Sequence, residues 1–104
     1  MGCALDYTLI YNGLKIVNSG SELTIYTTNF NYRTDWGIKV GDAISKAEKM
    51  CDRKLGFRSE KRRGSITYRE KVKRYAEMSL ALEIGHKNGR VTHIKYERNV
   101  HEDC

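Results

Sequence analysis

Apolar and polar positions alternate along the first thirty residues with the period of two that is typical of half-buried β-strands. The dipeptide Asn12-Gly13 interrupts the alternation and predicts a two-residue type I′ turn, in which φ is positive at both positions. The tetrapeptide SGSE at residues 19–22 interrupts it again and predicts a type II′ turn with Gly20 first. Both turns place the same apolar side chains on one face: Leu5, Tyr7, Leu9, Leu14, Ile16, Leu23 and Ile25. We therefore predict an antiparallel three-stranded meander over about residues 5–11, 14–19 and 22–29.

A helical period follows the strands. Five small or apolar residues recur at helical spacing and form one buried stripe: Ala43, Ile44, Ala47, Met50 and Cys51. Asp42 is a favourable N-cap whose carboxylate would accept hydrogen bonds from first-turn amides, and Gly56 is a favourable stop. The pattern predicts a short helix, roughly residues 42–53, that depends on packing against the sheet for its stability.

Alternation returns in three runs of the second half, SITYRE, YAEMSLALEI and VTHIKYE. A two-residue turn at Asn88-Gly89 would set Leu82 opposite Lys95 and would mix apolar with charged side chains. A three-residue loop over 87–89 with a glycine bulge sets Leu82 opposite Ile94, so we predict that loop. The stretch RSEKRRGS, which precedes these runs, is predicted to be a loop.

These elements give the order βββ-α-βββ, which is an α+β fold: an antiparallel sheet of two three-stranded meanders with one short helix packed on one face. A chain of 104 residues is long enough for one hydrophobic core. Residues 1–104 are therefore predicted to be a single domain with a frayed C-terminal tail at 99–104. No apolar run approaches the roughly 20 residues that a membrane-spanning helix needs, so we predict no transmembrane segment.

The net charge of +6 lies entirely in the second half of the chain. Residues 1–50 carry five basic and five acidic side chains, whereas residues 51–104 carry fourteen basic and eight acidic ones. The segment 53–74 alone holds ten Lys or Arg residues and two Glu residues. Charge concentrated in one segment indicates one basic face rather than a uniformly basic particle.

Two stretches are candidates for binding a partner. Aromatic residues on a loop are frequent anchors of protein interfaces, and one predicted loop offers Phe30, Tyr32, Arg33 and Trp36. The alternative is that these aromatic side chains simply cover the end of the sheet and the start of the helix. The predicted basic loop could contact an acidic protein or nucleic-acid phosphates through Arg58, Lys61, Arg62 and Arg63. The alternative here is a solvated charged edge that protects the sheet from aggregation.

The residue types that carry catalysis or bind metals do not cluster in the sequence. The three cysteines are widely spaced and form no C-x-x-C motif, and the three histidines form no H-x-x-x-H motif. The predicted register sets His93 opposite Glu83, away from the other histidines. Cys51 is interpreted as a buried helix residue, with a Cys–His nucleophile pair as the alternative. We predict no metal, no cofactor and no enzymatic activity, and pairing of Cys3 with Cys104 stays open.

Two stretches of the chain resemble known families. Residues 34–52, TDWGIKVGDAISKAEKMCD, are similar to the start of the BamE/SmpA-like repeat and to the repeat unit of the β-lactamase inhibitor proteins. The stretch LALEIGHKNGRVTHIKYE is similar to the closing hairpin of the same families. Over residues 34–97 the matching positions are Gly37, Ile38, Val40, Gly41, Asp42, Asn88, Gly89, Val91 and Ile94. The resemblance implies a small α+β repeat domain that binds proteins without catalysis and that is often secreted or lipid-anchored in bacteria.

Taken with the residue patterns, the resemblance predicts a non-catalytic protein-interaction module of bacterial type, inhibitor-like or assembly-factor-like. Its protein partner is expected to be acidic if the basic loop is used. The alternative is a basic nucleic-acid-binding protein that uses segment 53–74, and a homodimer formed by pairing of sheet edges is left open. The resemblance implies an extracytoplasmic or lipid-anchored location after removal of a leader, and without it the chain is expected in the cytoplasm.

Overall fold

A computed structural model describes residues 6–32, 34, 37–54, 58–73 and 77–101. These residues form seven strands and one helix: β1 (Tyr7–Tyr11), β2 (Leu14–Ser19), β3 (Glu22–Thr27), α1 (Ile44–Lys54), β4 (Arg58–Arg62), β5 (Ser65–Lys73), β6 (Glu77–Lys87) and β7 (Arg90–His101). All seven strands join one antiparallel sheet in the order β1-β2-β3-β7-β6-β5-β4. β7 includes residues 99–101, which were expected to be frayed.

The first three-stranded meander is confirmed in its register. Leu9 lies opposite Ile16, and Ile16 lies opposite Ile25, so the predicted apolar face spans all three strands. The turn at residues 19–22 has a φ of 60° at Gly20, as a type II′ turn requires. Two independent turns therefore agree with one apolar pattern, which is what fixes a register strongly.

The Asn12-Gly13 turn differs from the predicted type I′ turn, because φ is positive at Gly13 and not at Asn12. The carbonyl of Gly13 accepts a hydrogen bond from Thr27 Oγ1 at 2.8 Å and another from the Thr28 amide at 2.9 Å. These two bonds tie the turn to the end of β3. The orientation of the Gly13 peptide is therefore set by contacts distant in sequence, which the local dipeptide signal does not contain.

The second half contains four strands, so the prediction of a second three-stranded meander is wrong. The stretch RSEKR, predicted to be part of a loop, forms β4 and pairs antiparallel with β5. Gly64, with a φ of 84°, completes the two-residue turn between these strands. β4 lacks apolar residues, so it gives none of the alternation that identified the other strands. Strand β7 pairs with β3 and joins the two halves into one antiparallel sheet.

The register of β6 and β7 differs by two residues from the predicted one. Asn88 and Gly89 both have positive φ, 53° and 76°, and form a two-residue turn rather than a three-residue loop. A bulge at Gly85/His86 then shifts the register, so that Ile84 lies opposite Ile94. The apolar pattern correctly indicated that the register departs by one residue from that of an unbulged hairpin with a two-residue turn. In the structure this departure comes from a bulge inside the hairpin and not from a longer loop, so the register shifts in the direction opposite to the predicted one.

Helix α1 begins later than predicted, and Asp42 is not its N-cap. The carbonyl of Ala43 accepts the first helical hydrogen bond from the Ala47 amide at 3.2 Å. The Asp42 carboxylate instead accepts a hydrogen bond from the Lys39 amide at 3.0 Å and closes the turn before the helix. The Asp42 carbonyl accepts a hydrogen bond from the Val91 amide at 2.8 Å. The start of the helix is therefore fastened to β7.

The hydrophobic core lies between α1 and the strands β5, β6 and β7. Nine buried side chains form it: Ile38, Ala47, Cys51, Ile66, Tyr68, Leu82, Ile84, Val91 and Ile94. The helix contributes two small residues, Ala47 and Cys51, which let it approach the sheet closely. None of the nine residues lies in β1, β2 or β3. The helix therefore packs on one half of one face of the sheet.

On the opposite face of the sheet, a histidine ring covers a glycine. Gly85 lies directly opposite His93, and a Cβ atom added at Gly85 would overlap the His93 ring. The ring is held by a 2.9 Å hydrogen bond between His93 Nε2 and Glu83 Oε2. Tyr26 packs against it from β3, with the ring centroids 5.5 Å apart. The predicted direct pairing of Glu83 with His93 is wrong, because Glu83 lies opposite Lys95, but the two side chains still meet as diagonal neighbours.

We expect Gly85→Ala to destabilise the protein by about 1–3 kcal/mol, because the new methyl group must displace the His93 ring from its two contacts. In a His93→Ala background the ring is gone, so the same substitution should cost much less. Urea denaturation of the four proteins in this double-mutant cycle measures the coupling. Additive effects of the two substitutions would contradict the proposed overlap.

Candidate functional site

The half of the sheet that α1 does not cover carries an apolar surface. We call it the open face and define it by seven residues whose side chains share the helix side of β1, β2 and β3: Tyr7, Leu9, Tyr11, Leu14, Ile16, Leu23 and Ile25. Tyr7, Leu9 and Tyr11 are 47%, 41% and 52% exposed, and the other four are half-buried. The two other residues on this side, Asn18 and Thr27, are uncharged, so the described positions of these strands bring no charge to the open face.

The open face exists because one helix is too small for this sheet. Seven strands spaced by about 4.8 Å make a sheet about 29 Å wide. A helix with its side chains is only about 10–12 Å across, so it covers two or three strands. The hydrogen bonds of residues 41–44 with β7 and the turn before it place α1 over the β5–β7 half. Among the residues that the structure describes, no second layer consequently covers the apolar residues of β1, β2 and β3.

Two of the predicted aromatic anchors lie at one end of the open face. Phe30 is 66% exposed and Tyr32 is 38% exposed, so both residues are accessible to a partner. Asn29 holds this segment against the β1–β2 turn, because its side-chain amide donates to the Asn12 carbonyl at 2.7 Å. Its carboxamide oxygen also accepts a hydrogen bond from the Asn31 amide at 2.8 Å. The other two predicted anchors, Arg33 and Trp36, lie outside the described residues.

The predicted basic residues do not form a loop cluster. Arg58, Lys61 and Arg62 belong to β4, and Arg63 begins the turn after it. Lys61 lies opposite Ile66 on the helix side of the sheet, whereas Arg62 lies opposite Ser65 on the other side. These side chains therefore point alternately to two faces. The structure describes the backbone of Arg58 but not its side chain.

Acidic residues lie beside several of these cations. Arg62 Nη2 is 2.9 Å from Glu60 Oε1, and Arg69 Nε is 4.0 Å from Glu60 Oε2. Lys61 Nζ is 3.9 Å from Glu48 Oε2 on the helix. Such exposed ion pairs add little stability, but they lower the positive potential that the hairpin presents to a polyanion.

Cys51 lies in the core beside Tyr68 and is fully buried. Burial, and secondarily the charge of Asp52, raises the pKa of the Cys51 thiol to about 11. Burial likewise raises the pKa of the Tyr68 hydroxyl, with smaller contributions from Cys51, Asp52 and Glu48. A thiol with so high a pKa is protonated at neutral pH and is a poor nucleophile.

Among the described residues, no group of three or more His, Cys, Asp or Glu side chains is arranged to hold a metal ion. No helix in the part of the chain that the structure describes is long and apolar enough to span a membrane.

Comparisons of the chain with protein-family models, with curated proteins and with solved structures find no match. The resemblance of residues 34–97 to the BamE/SmpA-like and β-lactamase-inhibitor repeats stays a prediction. The candidate site is therefore defined by the geometry and chemistry of the open face.

The raised pKa of Cys51 predicts how stability depends on alkaline pH. The folded state favours the protonated thiol, so this contribution is complete below the ordinary thiol pKa of 9.0 and is lost as the pH rises towards about 11. A shift of this size corresponds to about 3 kcal/mol of unfolding free energy. Urea titrations between these pH values should show a steeper fall for the unmodified chain than for Cys51→Ala. Equal slopes would contradict the assignment.

Proposed function

We propose that the protein is a non-catalytic protein-binding module and that its partner packs on the open face. The observation that carries this proposal is an apolar sheet face that no second layer covers within the described residues, with exposed aromatic residues at its end. Sheets in stable domains bury their apolar face against another element. A partner that packs on the open face would remove its apolar surface from water, and this burial would contribute hydrophobic free energy to binding.

The size of the open face supports a binding role. Tyr7 and Tyr11 are each about half exposed, so together they leave roughly 150–250 Å² accessible, the area of one whole tyrosine side chain. Leu9, the half-buried residues of β2 and β3, and Phe30 raise the exposed area to several hundred Å². Contiguous apolar patches of this size commonly mark interaction sites.

The chemistry of the open face restricts the partner. Strands β1, β2 and β3 offer large apolar side chains and tyrosine hydroxyl groups on this surface, and a charged residue, Arg98 of β7, borders it opposite Leu23. A complementary partner therefore presents an apolar stripe, such as one side of an amphipathic helix, with few charges at its centre. The resemblance of residues 34–97 to inhibitor and assembly-factor modules points to the same class of function.

The alternative function, binding of nucleic acid by segment 53–74, has less support. The cations of β4 point to both faces of the sheet, and Glu60 and Glu48 lie beside three of the basic side chains of the β4–β5 hairpin. Fluorescence anisotropy with labelled DNA and RNA tests this alternative. Binding that weakens with salt and disappears on charge reversal of Arg62 and Arg63 would favour it.

Site-specific photo-crosslinking in extracts of the source cells tests the proposed function. A benzoylphenylalanine placed at Tyr11 lies on the open face, and the same residue placed at Ile10 is the matched control. Ile10 is the adjacent position of the same strand, points to the opposite face and is 73% exposed. We expect a discrete heterologous protein adduct from position 11 and none from position 10.

Competition distinguishes a specific partner from incidental contact. Excess unmodified protein should suppress the adduct, and so should an Ile10→Asp variant, whereas a Leu9→Asp variant should not. Circular dichroism confirms that both variants are folded. The proposal is overturned if the two probe positions give the same adducts, or if Leu9→Asp competes as well as the unmodified protein does.

A further inference from the structure

The two edges of the sheet differ sharply in their protection against pairing. β4, at one edge, reads RSEKR, and four of its five residues are charged. β1, at the other edge, reads YTLIY and has no charge, proline, glycine or bulge. Natural edge strands normally carry at least one of these features to prevent pairing with another strand. Within the described residues, β1 pairs with β2 alone.

The free backbone groups of β1 can be identified from its register. Tyr11 and Leu14 flank a two-residue turn, so they form a hydrogen-bonded pair, and the pairs alternate from there along the ladder. The N–H and C=O groups of Tyr7, Leu9 and Tyr11 therefore point towards β2. Those of Thr8 and Ile10 point outward, to the open edge.

We infer that β1 pairs antiparallel with β1 of a second copy, around a two-fold axis at Leu9. In this register Thr8 of each copy lies opposite Ile10 of the other, which brings the outward-pointing donors and acceptors of both strands together. The side chains are self-complementary as well, because Tyr7 meets Tyr11 and Leu9 meets Leu9 on the open-face side. An interface in which the same surface meets itself is the usual basis of a two-fold dimer.

The distribution of charge favours pairing of β1 with β1 over contacts between other surfaces of the two copies. From Asp6 to Tyr32 the chain carries only Asp6, Lys15 and Glu22, so the region that meets its copy is nearly neutral. The basic β4–β5 hairpin lies at the far edge of each sheet. The positive charges of the two copies are thereby kept at opposite ends of the assembly.

The dimer extends the proposed function without depending on it. A two-fold axis perpendicular to the sheet leaves both open faces on the same side. Strands β1, β2 and β3 of the two copies then form one continuous apolar sheet surface that is six strands wide and is bordered by the two α1 helices. A pairing of five-residue strands buries less area than standard interfaces, so the dimer belongs to the weak class that forms at high protein concentration.

A disulfide trap tests the predicted axis. In a Cys3→Ser, Cys104→Ser background the remaining thiol, Cys51, is buried. Leu9→Cys would place two thiols at a non-hydrogen-bonded pair on the axis, where Cα atoms are about 4.5 Å apart and a disulfide can form. Tyr7→Cys is the control, because the two copies of residue 7 lie about 13 Å apart along the strands. We expect oxidation to give a covalent dimer from position 9 and a monomer from position 7.

A charge-swap pair tests the same register without cysteine chemistry. Thr8→Lys with Ile10→Lys would set lysine against lysine across the interface twice, and sedimentation equilibrium should show loss of the dimer. Thr8→Lys with Ile10→Glu would set opposite charges together, and the dimer should persist. A protein that stays monomeric at every concentration, or that crosslinks equally at positions 7 and 9, would overturn the inference. Either result leaves the photo-crosslinking test of the open face unaffected.

Discussion

The packing of α1 on β5, β6 and β7 is the interaction on which the rest of the structure depends. Ala47 and Cys51 meet Tyr68, Leu82 and neighbouring apolar residues in the only described core cluster. The Asp42 and Ile44 main chains fasten the helix to β7 and to the turn before it, which decides the half of the sheet that it covers. The open face is the direct consequence, since the same helix cannot also reach β1, β2 and β3.

Pairing of β3 with β7 connects the core to the uncovered half of the sheet through backbone hydrogen bonds. Thr27, at the end of β3, lies opposite Ile94 of the core and also donates its hydroxyl to the Gly13 carbonyl. The buried half therefore supports the β1–β2 hairpin through a continuous ladder. The open face is therefore held in place by a sheet that is continuous with the core, while Tyr7, Leu9 and Tyr11 remain accessible.

The sequence predicts the first meander well because its two turns and its apolar alternation agree on one register. It predicts β4 poorly, because a charged edge strand has no apolar side to reveal its period. The β6–β7 bulge also could not be predicted from the local sequence pattern. A longer loop and an internal bulge satisfy the apolar pattern equally, and only the packing of Ile84 against Ile94 in the core separates them.

The candidate site was partly visible in the sequence. The apolar residues of β1, β2 and β3 were assigned to one face, but that face was expected to lie under the helix. What the pattern could not supply is the position of α1 across the sheet, which depends on hydrogen bonds between residues distant in sequence, such as Gly41 and Val91, fifty positions apart. Phe30 and Tyr32 are exposed, and their role as anchors stays a prediction.

Hydroxyl-radical footprinting of the dilute protein tests whether the open face is exposed to solvent, because it compares the accessibility of tyrosines within one chain. We expect rapid oxidation of Tyr7 and Tyr11, which are about half exposed, and protection of Tyr68, which is 1% exposed. Protection of Tyr7 and Tyr11 to the same degree as Tyr68 would mean that the open face is covered, which is the opposite of what the fold implies.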